Sequence, residues 1–433
     1  MTSQILAHYS SLEKNLNIKS VRNNVTYFSP VNFTESMSTA RHRWFPYKEG
    51  FSPSFVKKFL TDYCDNLTGT VFDPFSGVGT TALAASSLGL ESIGFDVNPL
   101  AIFIAKTKSI ILSLKQINEL ESYVKEFSLA LLINSVEPPK NETVIKYFDP
   151  KYLDAILKIK YFIEHLKITE FESLFKLGLL SLVEKYSTHR KAGNGVKKKT
   201  RINYGHNGLT AIEEIRADLI LTLNLYIADL KIDNSLSSIK YFQCSSLDQN
   251  AYENIDNISA VITSPPYANC FDYSKIYMRE LWLCDFFLSK NDQKKFRDTS
   301  LRSHVHSIWV PRYEIGSLEI VDNEIKKIIE SQQLWSNKIG NMLSGYFKDI
   351  NRLLQVIKPK LKNKALLGFV VGNSFYGGTV IATDLLIAEL AQKNGYKVEG
   401  IVTYRKIIPS SQQFKKIEDN YYMRESLVIF RND

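Results

Sequence analysis

The chain has 433 residues, 44% hydrophobic and 23% charged, the balance of a globular protein with a real core, so broad disorder is excluded. Its 54 Lys and Arg outnumber 45 Asp and Glu, and the net charge of +9 leans weakly toward a polyanionic partner. No run of eighteen apolar residues, secretory leader or CxxC pair among Cys64, Cys244, Cys270 and Cys284 is present, which predicts a reduced cytoplasmic enzyme without membrane, disulfide framework or metal.

The first forty residues are polar and mixed. Ser52 or Ser54 caps a predicted helix that runs to about Tyr63. Residues 70–108 read strand, glycine loop, helix, strand, helix, which is a βαβ unit. Residues 112–185 carry Leu, Ile and Phe at helical spacing, and 209–231 do so again. Between them RKAGNGVKKKTR, residues 190–201, reads as a basic loop. Apolar strand candidates follow at 239–243, 258–263, 365–371, 398–404 and 426–431, with a helix at 342–358. The total predicts an α/β fold, a doubly wound, seven-stranded, mostly parallel sheet. Residues 1–110 form the N-terminal segment and cofactor-binding half. Residues 111–236 form a large helical insertion, a candidate recognition region. Residues 237–433 form the catalytic half, with an irregular insertion at 287–335.

Two stretches carry the chemistry. In the first, Asp73 ends a strand and Pro74-Phe75-Ser76-Gly77-Val78-Gly79-Thr80-Thr81 turns into a helix. Gly77 and Gly79 let the backbone approach a ligand, and the helix start aims its amides there. About twenty residues on, Asp96 ends the next strand in Gly94-Phe95-Asp96-Val97-Asn98-Pro99, placed to accept hydrogen bonds from both hydroxyls of a ribose. No GK[ST] follows, so this is not a Walker phosphate loop. DPFSGVGTT with GFDVNP resembles motifs I and II of the S-adenosylmethionine-dependent amino-methyltransferases that act on DNA. The resemblance implies S-adenosylmethionine as cofactor, held by Asp73, Pro74, Phe75, Ser76, Gly77, Gly79, Thr80, Asp96 and Asn98. It implies the Rossmann-like methyltransferase fold as well.

The second stretch is a strand running into Ser264-Pro265-Pro266-Tyr267. The prolines fix the backbone and leave carbonyl oxygens as rigid acceptors. An exocyclic amine has its lone pair delocalised into the base. Hydrogen bonds from its protons to Ser264 and the Pro265 carbonyl favour a more tetrahedral nitrogen, set for in-line attack on a sulfonium methyl. The base must leave the duplex to reach such a loop, and Tyr267 is the candidate ring to stack on it. The tetrapeptide resembles the family's motif IV. There Ser-Pro-Pro-Tyr is more typical of cytosine-N4 enzymes and Asp-Pro-Pro-Tyr of adenine-N6 enzymes. No cysteine follows a proline as a cytosine-C5 enzyme requires, and Cys270 reads as packing.

By position, the aromatic segment Arg43–Gly50 resembles motif X, which implies Trp44 or Phe45 beside the sulfonium. The third strand ends at Ser245 and Ser246 where the family places an acid, and Ser245 is the candidate adenine contact. Asp272 and Tyr273 are candidates to line the base pocket. Arg279 and Glu280 read as ordinary helix residues. Arg190, Lys191, Lys197, Lys198, Lys199 and Arg201 form a block able to neutralise phosphates, with Asn194 and Asn203 as base-edge candidates. Arg297, Arg302, His304, His306, Trp309 and Arg312 form a second candidate surface. The two histidines lack partner ligands for a metal. Gly372-Asn373-Ser374-Phe375 and Gly377-Gly378 follow the fifth strand, where the family has an active-site loop.

Cofactor loop first and catalytic loop after a long gap resembles the family's alpha or gamma arrangement, although the main insertion precedes the third strand. The reading is a site-specific cytosine-N4 methyltransferase acting on double-stranded DNA. The resemblance implies a role in restriction–modification or phage defence, with a cognate restriction endonuclease as partner. Rival readings are adenine-N6 methylation, an RNA base methyltransferase, and a non-catalytic nucleic-acid-binding subunit.

Overall fold

The computed structural model describes residues 4–20, 29–64, 68–201, 208–232, 235–306, 318–330, 334–407 and 421–433. Its strands, in chain order, are β1 (Ile18–Ser20), β2 (Thr70–Asp73), β3 (Ser92–Asp96), β4 (His189–Ala192), β5 (Gly195–Lys198), β6 (Ile239–Gln243), β7 (Ile258–Thr263), β8 (Leu361–Gly372), β9 (Ser374–Tyr376), β10 (Thr379–Ile381), β11 (Tyr396–Lys406) and β12 (Arg424–Asn432). Eight of them form one sheet in the order β1-β11-β12-β8-β7-β2-β3-β6. β12 runs antiparallel to both neighbours, and the other described pairings are parallel. This is a doubly wound, mostly parallel, Rossmann-like sheet. The seven predicted strands are present, and β1 adds an eighth at the edge.

Both faces of the sheet are covered, which explains its near-continuous apolar strands. All six residues of β7 are buried. Alternate residues serve alternate faces. Val71, Ala260, Ile262, Leu366, Val370 and Leu427 pack with Phe55, Val56 and Phe59 of helix Pro53–Tyr63 and Ala84 of helix Thr80–Ser86. Phe72, Val261, Leu367, Phe369 and Val428 face the other way, toward helices Gln4–Lys14, Ile339–Ile357 and Thr383–Lys393. Of the two candidate caps at residue 52 or 54, Ser52 takes the role, its Oγ accepting from the Phe55 amide at 3.2 Å.

Helices Leu114–Leu129, Pro150–Glu164, Thr169–Tyr186 and Ala211–Ile232 share a separate apolar cluster. Residues 190–201, read as a loop, hold most of a β-hairpin instead. β4 and β5 pair antiparallel around the two-residue turn Gly193-Asn194, opened by Gly193 at φ +55°. A short turn with glycine at positive φ matches the twist of its strands.

Candidate active site

Chain order in the sheet reverses between β2 and β7: β2 leads outward to β3 and β6, and β7 leads the opposite way to β8. A crevice opens at the strand ends where such a reversal occurs. Asp73 and Thr263 are the last residues of those two strands. Asp73 Oδ1 accepts from Thr263 Oγ1 at 2.7 Å and the Phe75 amide at 3.1 Å, and Oδ2 accepts from Thr81 Oγ1 at 2.6 Å. Burial pushes its carboxyl up to about 6, against those hydrogen bonds.

The glycine loop is built by positive φ at Gly77 (+48°) and Gly79 (+84°), the latter capping the helix that starts at Thr80. A Cβ at Gly79 would overlap the Tyr241 hydroxyl. Asp96 Oδ2 accepts from the Gly77 amide at 2.9 Å, and Oδ1 accepts from the Asn98 amide at 2.8 Å. Burial raises this carboxyl to about 6 as well. Asn98 is buried and caps the next helix through the Leu100 amide.

Two clefts meet here. The first, about 710 Å³, runs along Pro74, Phe75, Gly77, Asp96, Asn98 and Ser246. The second, about 770 Å³, runs along Phe33, Phe51, Pro265, Tyr267, Phe271 and Arg405. Glu49, Ser264 and Tyr273 line both clefts. Glu49 Oε2 accepts from the Tyr277 hydroxyl at 2.5 Å, and burial raises its carboxyl against that bond. Thr80 and Ser76 lie with Asp73 around a smaller recess beside the junction.

A family model described as a DNA methylase, of the N6- and N4-methylating kind, matches residues 5–107. M.BsoBI, a type II methyltransferase of Geobacillus stearothermophilus, is 26% identical over 92% of this chain and 87% of its own. The type II methyltransferase M.AvaI of Nostoc sp. is 26% identical over 93% and 88%. The chain is therefore similar to type II methyltransferases along nearly its whole length, and to the N6- and N4-methylating DNA methylases over residues 5–107. Among solved structures, the rRNA methyltransferase aviRa from Streptomyces viridochromogenes covers 96% of this chain and 97% of its own at 11% identity, with a TM-score of 0.33, too loose a superposition to bear on function.

The first cleft fits S-adenosylmethionine, the methyl donor that the similarity implies. It offers a glycine turn beneath a helix start, an acid at the next strand end, and one orphaned polar group. Ser246 is buried on the cleft wall, and its Oγ has no hydrogen-bond partner among the described residues. Ser245, the residue singled out from the sequence, also lines the cleft, but its hydroxyl donates to the Thr299 carbonyl at 3.2 Å. Ser246 is therefore the better-placed hydroxyl for a ligand.

Trp44 and Phe45 are off the cleft. Trp44 donates its indole N–H to Asp229 at 2.8 Å and stacks on Tyr226, inside the helical cluster. Phe45 is buried against Tyr277 in the same cluster. Their near neighbours Tyr47 and Glu49 line the cleft in their place. Asp272 lies in neither cleft's wall and is paired with Arg297 at 2.7 Å. His304 is in the first cleft's wall. No group of three or more His, Cys, Asp or Glu able to hold a metal occurs among the described residues.

The basic hairpin divides. Arg190, Lys197, Lys198 and Arg201 are exposed. Lys191 turns inward, 3.9 Å from the Tyr277 ring centroid and 2.7 Å from Glu280. Lys199 donates to the Glu184 and Lys185 carbonyls at the end of a helix. Asn194, at the hairpin tip, donates to the Asn269 carbonyl at 2.9 Å, just past the Ser-Pro-Pro-Tyr loop. Arg279 is wholly buried, donating to Ser187 and the His189 carbonyl. Asn203, Trp309 and Arg312 lie outside the described residues.

Sequence reasoning missed Tyr47, Glu49, Arg405 and Glu425. The first two sat within the aromatic segment already singled out. The last two face each other across β11 and β12, a cross-strand pairing with no linear signal.

Proposed function

We propose that this methyltransferase methylates the exocyclic N4 amine of a cytosine flipped out of double-stranded DNA, at a specific site, as the modifying partner of a cognate restriction endonuclease in the cytoplasm. The observation that carries the reading is the junction of the two clefts. Ser264 lines both, which supports a reading in which a ligand of the first cleft would meet a ligand of the second there. Relatives that align along nearly the whole chain carry the type II methyltransferase name, which supports the restriction–modification role.

When bound, S-adenosylmethionine supplies an electrophilic methyl on sulfur. The chain supplies position. Asp96 is set to accept from the ribose hydroxyls, and Ser246 is free to meet the adenine. Glu49 puts an acidic group at the junction, where it would favour the donor's positive charge. On the other side Ser264 and the Pro265 carbonyl accept from the target amine. Phe33, Phe51, Phe271 and Tyr267 surround the base with apolar faces. The exposed cations of the hairpin supply phosphate contacts next to the entrance. Ser264, in place of an acid, favours cytosine by the family's tendency.

The test is mass spectrometry of nucleosides from plasmid DNA co-expressed with the chain. N4-methylcytosine is the expected product. N6-methyladenine would keep the site and overturn the base. No modified base, with cofactor binding intact, would overturn the reading of this chain as a DNA methylase on its own.

A further inference from the structure

Tyr267 is placed by more than its ring. The Ser264 hydroxyl donates to the Tyr267 hydroxyl at 3.4 Å, and the Tyr267 hydroxyl donates to Glu425 Oε1 at 2.7 Å. Glu425 Oε2 accepts from Arg405 Nε. Arg405 and Glu425 are register partners on β11 and β12. Glu425 is 3% exposed, while Arg405 is half-buried, and both line the second cleft. Gly372, at the end of β8, lets the tyrosine ring settle, since a Cβ there would stand 2.8 Å from the ring.

The donors all point one way, from the junction toward Glu425. With its proton turned toward Tyr267, Ser264 presents its lone pairs to the junction as an acceptor. An amine that has gained a methyl group carries one proton too many. We propose that Ser264, Tyr267 and Glu425 form the exit path for that proton, with Glu425 as final acceptor and Arg405 as its positioning residue. The proposal rests on the amine-methylation reading above.

The step balances. A nitrogen–carbon bond forms while the carbon–sulfur bond breaks, and sulfur keeps the electron pair. The amine proton passes to Ser264 Oγ, the Ser264 proton to Tyr267 Oη, and the Tyr267 proton to Glu425 Oε1. One sulfonium cation and one carboxylate anion become a neutral thioether and a neutral carboxyl. Serine and tyrosine finish uncharged, as a desolvated site demands. Arg405 pairs with Glu425 through Oε2 and leaves Oε1 to the relay, and the second cleft, which both residues line, opens a way out for the proton.

The experiment uses the full chain, S-adenosylmethionine and a DNA duplex carrying a site the wild type methylates. Tyr267→Phe keeps the ring and removes the relay hydroxyl, and Glu425→Gln keeps the shape and removes the acceptor. Each should lower the single-turnover rate about 100-fold or more, the scale of acid–base catalysis, with cofactor affinity unchanged. Infrared difference spectra of one turnover should show a protonated carboxyl band in the wild type and none in Glu425→Gln. A Tyr267→Phe rate equal to wild type, or a carboxyl band that persists in Glu425→Gln, would overturn the path. A rate loss matched by lost cofactor binding would make the residues structural only, which also overturns it. A wild type that modifies no DNA base would instead sink the underlying reading.

Discussion

Thr263 donates to Asp73 across the switch point of the sheet at 2.7 Å, so the last residues of the catalytic strand and the cofactor strand are tied side chain to side chain. Thr81 brings the first turn of the following helix to the same carboxylate. Asp73→Ala would strand these buried hydroxyls and the Phe75 amide. A loss of about 2–3 kcal/mol in unfolding free energy is expected, from denaturant titration of the cofactor-free protein. A loss below about 0.5 kcal/mol would show that the tie is not structural.

Gly79 has a stricter requirement than its neighbours. Alanine there meets both a left-handed φ and the Tyr241 hydroxyl. The expected cost is about 2–4 kcal/mol, with cofactor binding weakened because the loop must move. Adding Tyr241→Phe should recover part of the stability and none of the φ strain. If the double variant is no more stable than Gly79→Ala, the clash is not with that hydroxyl.

Asp96 gives a pH signature. Its folded value, about 6, lies above the ordinary 3.8, so the protonated form favours folding. That contribution is full below about 3.8 and is lost as pH rises through about 6. The stability difference between wild type and Asp96→Asn should fall across this window. Ribose hydroxyls donating to the carboxylate would also expel its proton near pH 6. Calorimetry of cofactor binding at that pH should then report proton release that varies with buffer ionisation heat. Identical heats in all buffers would take Asp96 off the ribose.

The basic hairpin separates two kinds of lysine. Replacing Arg190, Lys197 and Lys198 by Gln should flatten the salt dependence of DNA binding by about 0.9 in log–log slope for each phosphate no longer neutralised, with no change in thermal midpoint. Lys191→Met should do the reverse. It leaves Glu280, 1% exposed, without the cation that with Arg279 holds its carboxyl low against burial. The expected loss is about 3 kcal/mol in stability, with the salt slope unchanged. Equal effects in both variants would contradict the inward placement of Lys191.

The central strands were legible because parallel strands buried on both faces need unbroken apolar runs, as Ala260-Val261-Ile262 shows. β1 was not, since Ile-Lys-Ser has neither length nor pattern and exists only because β11 offers it an edge. The hairpin was hidden by its charge, although Gly-Asn between two short runs is a turn signal. The aromatic segment was found but its facing was not. Arg41 at φ +60° begins a tight turn, and Asp229 draws Arg43 and Trp44 inward, leaving Tyr47 and Glu49 to the cleft. That choice is made by a residue some 185 positions away. Glu425 depends likewise on β12 lying beside β11 and β8, which no local pattern states.

The three residues of β1 guard more than their length implies. They pair with Ile401, Val402 and Thr403, and the Asn17 carbonyl receives the Ile401 amide at 2.9 Å. A chain trimmed past Ser20 would leave that stretch of backbone open at the border of a large sheet. Donors and acceptors would then stand ready for the strand of another molecule. Truncation at this end therefore threatens solubility before it touches catalysis, and a tag or fusion is best joined ahead of helix Gln4–Lys14.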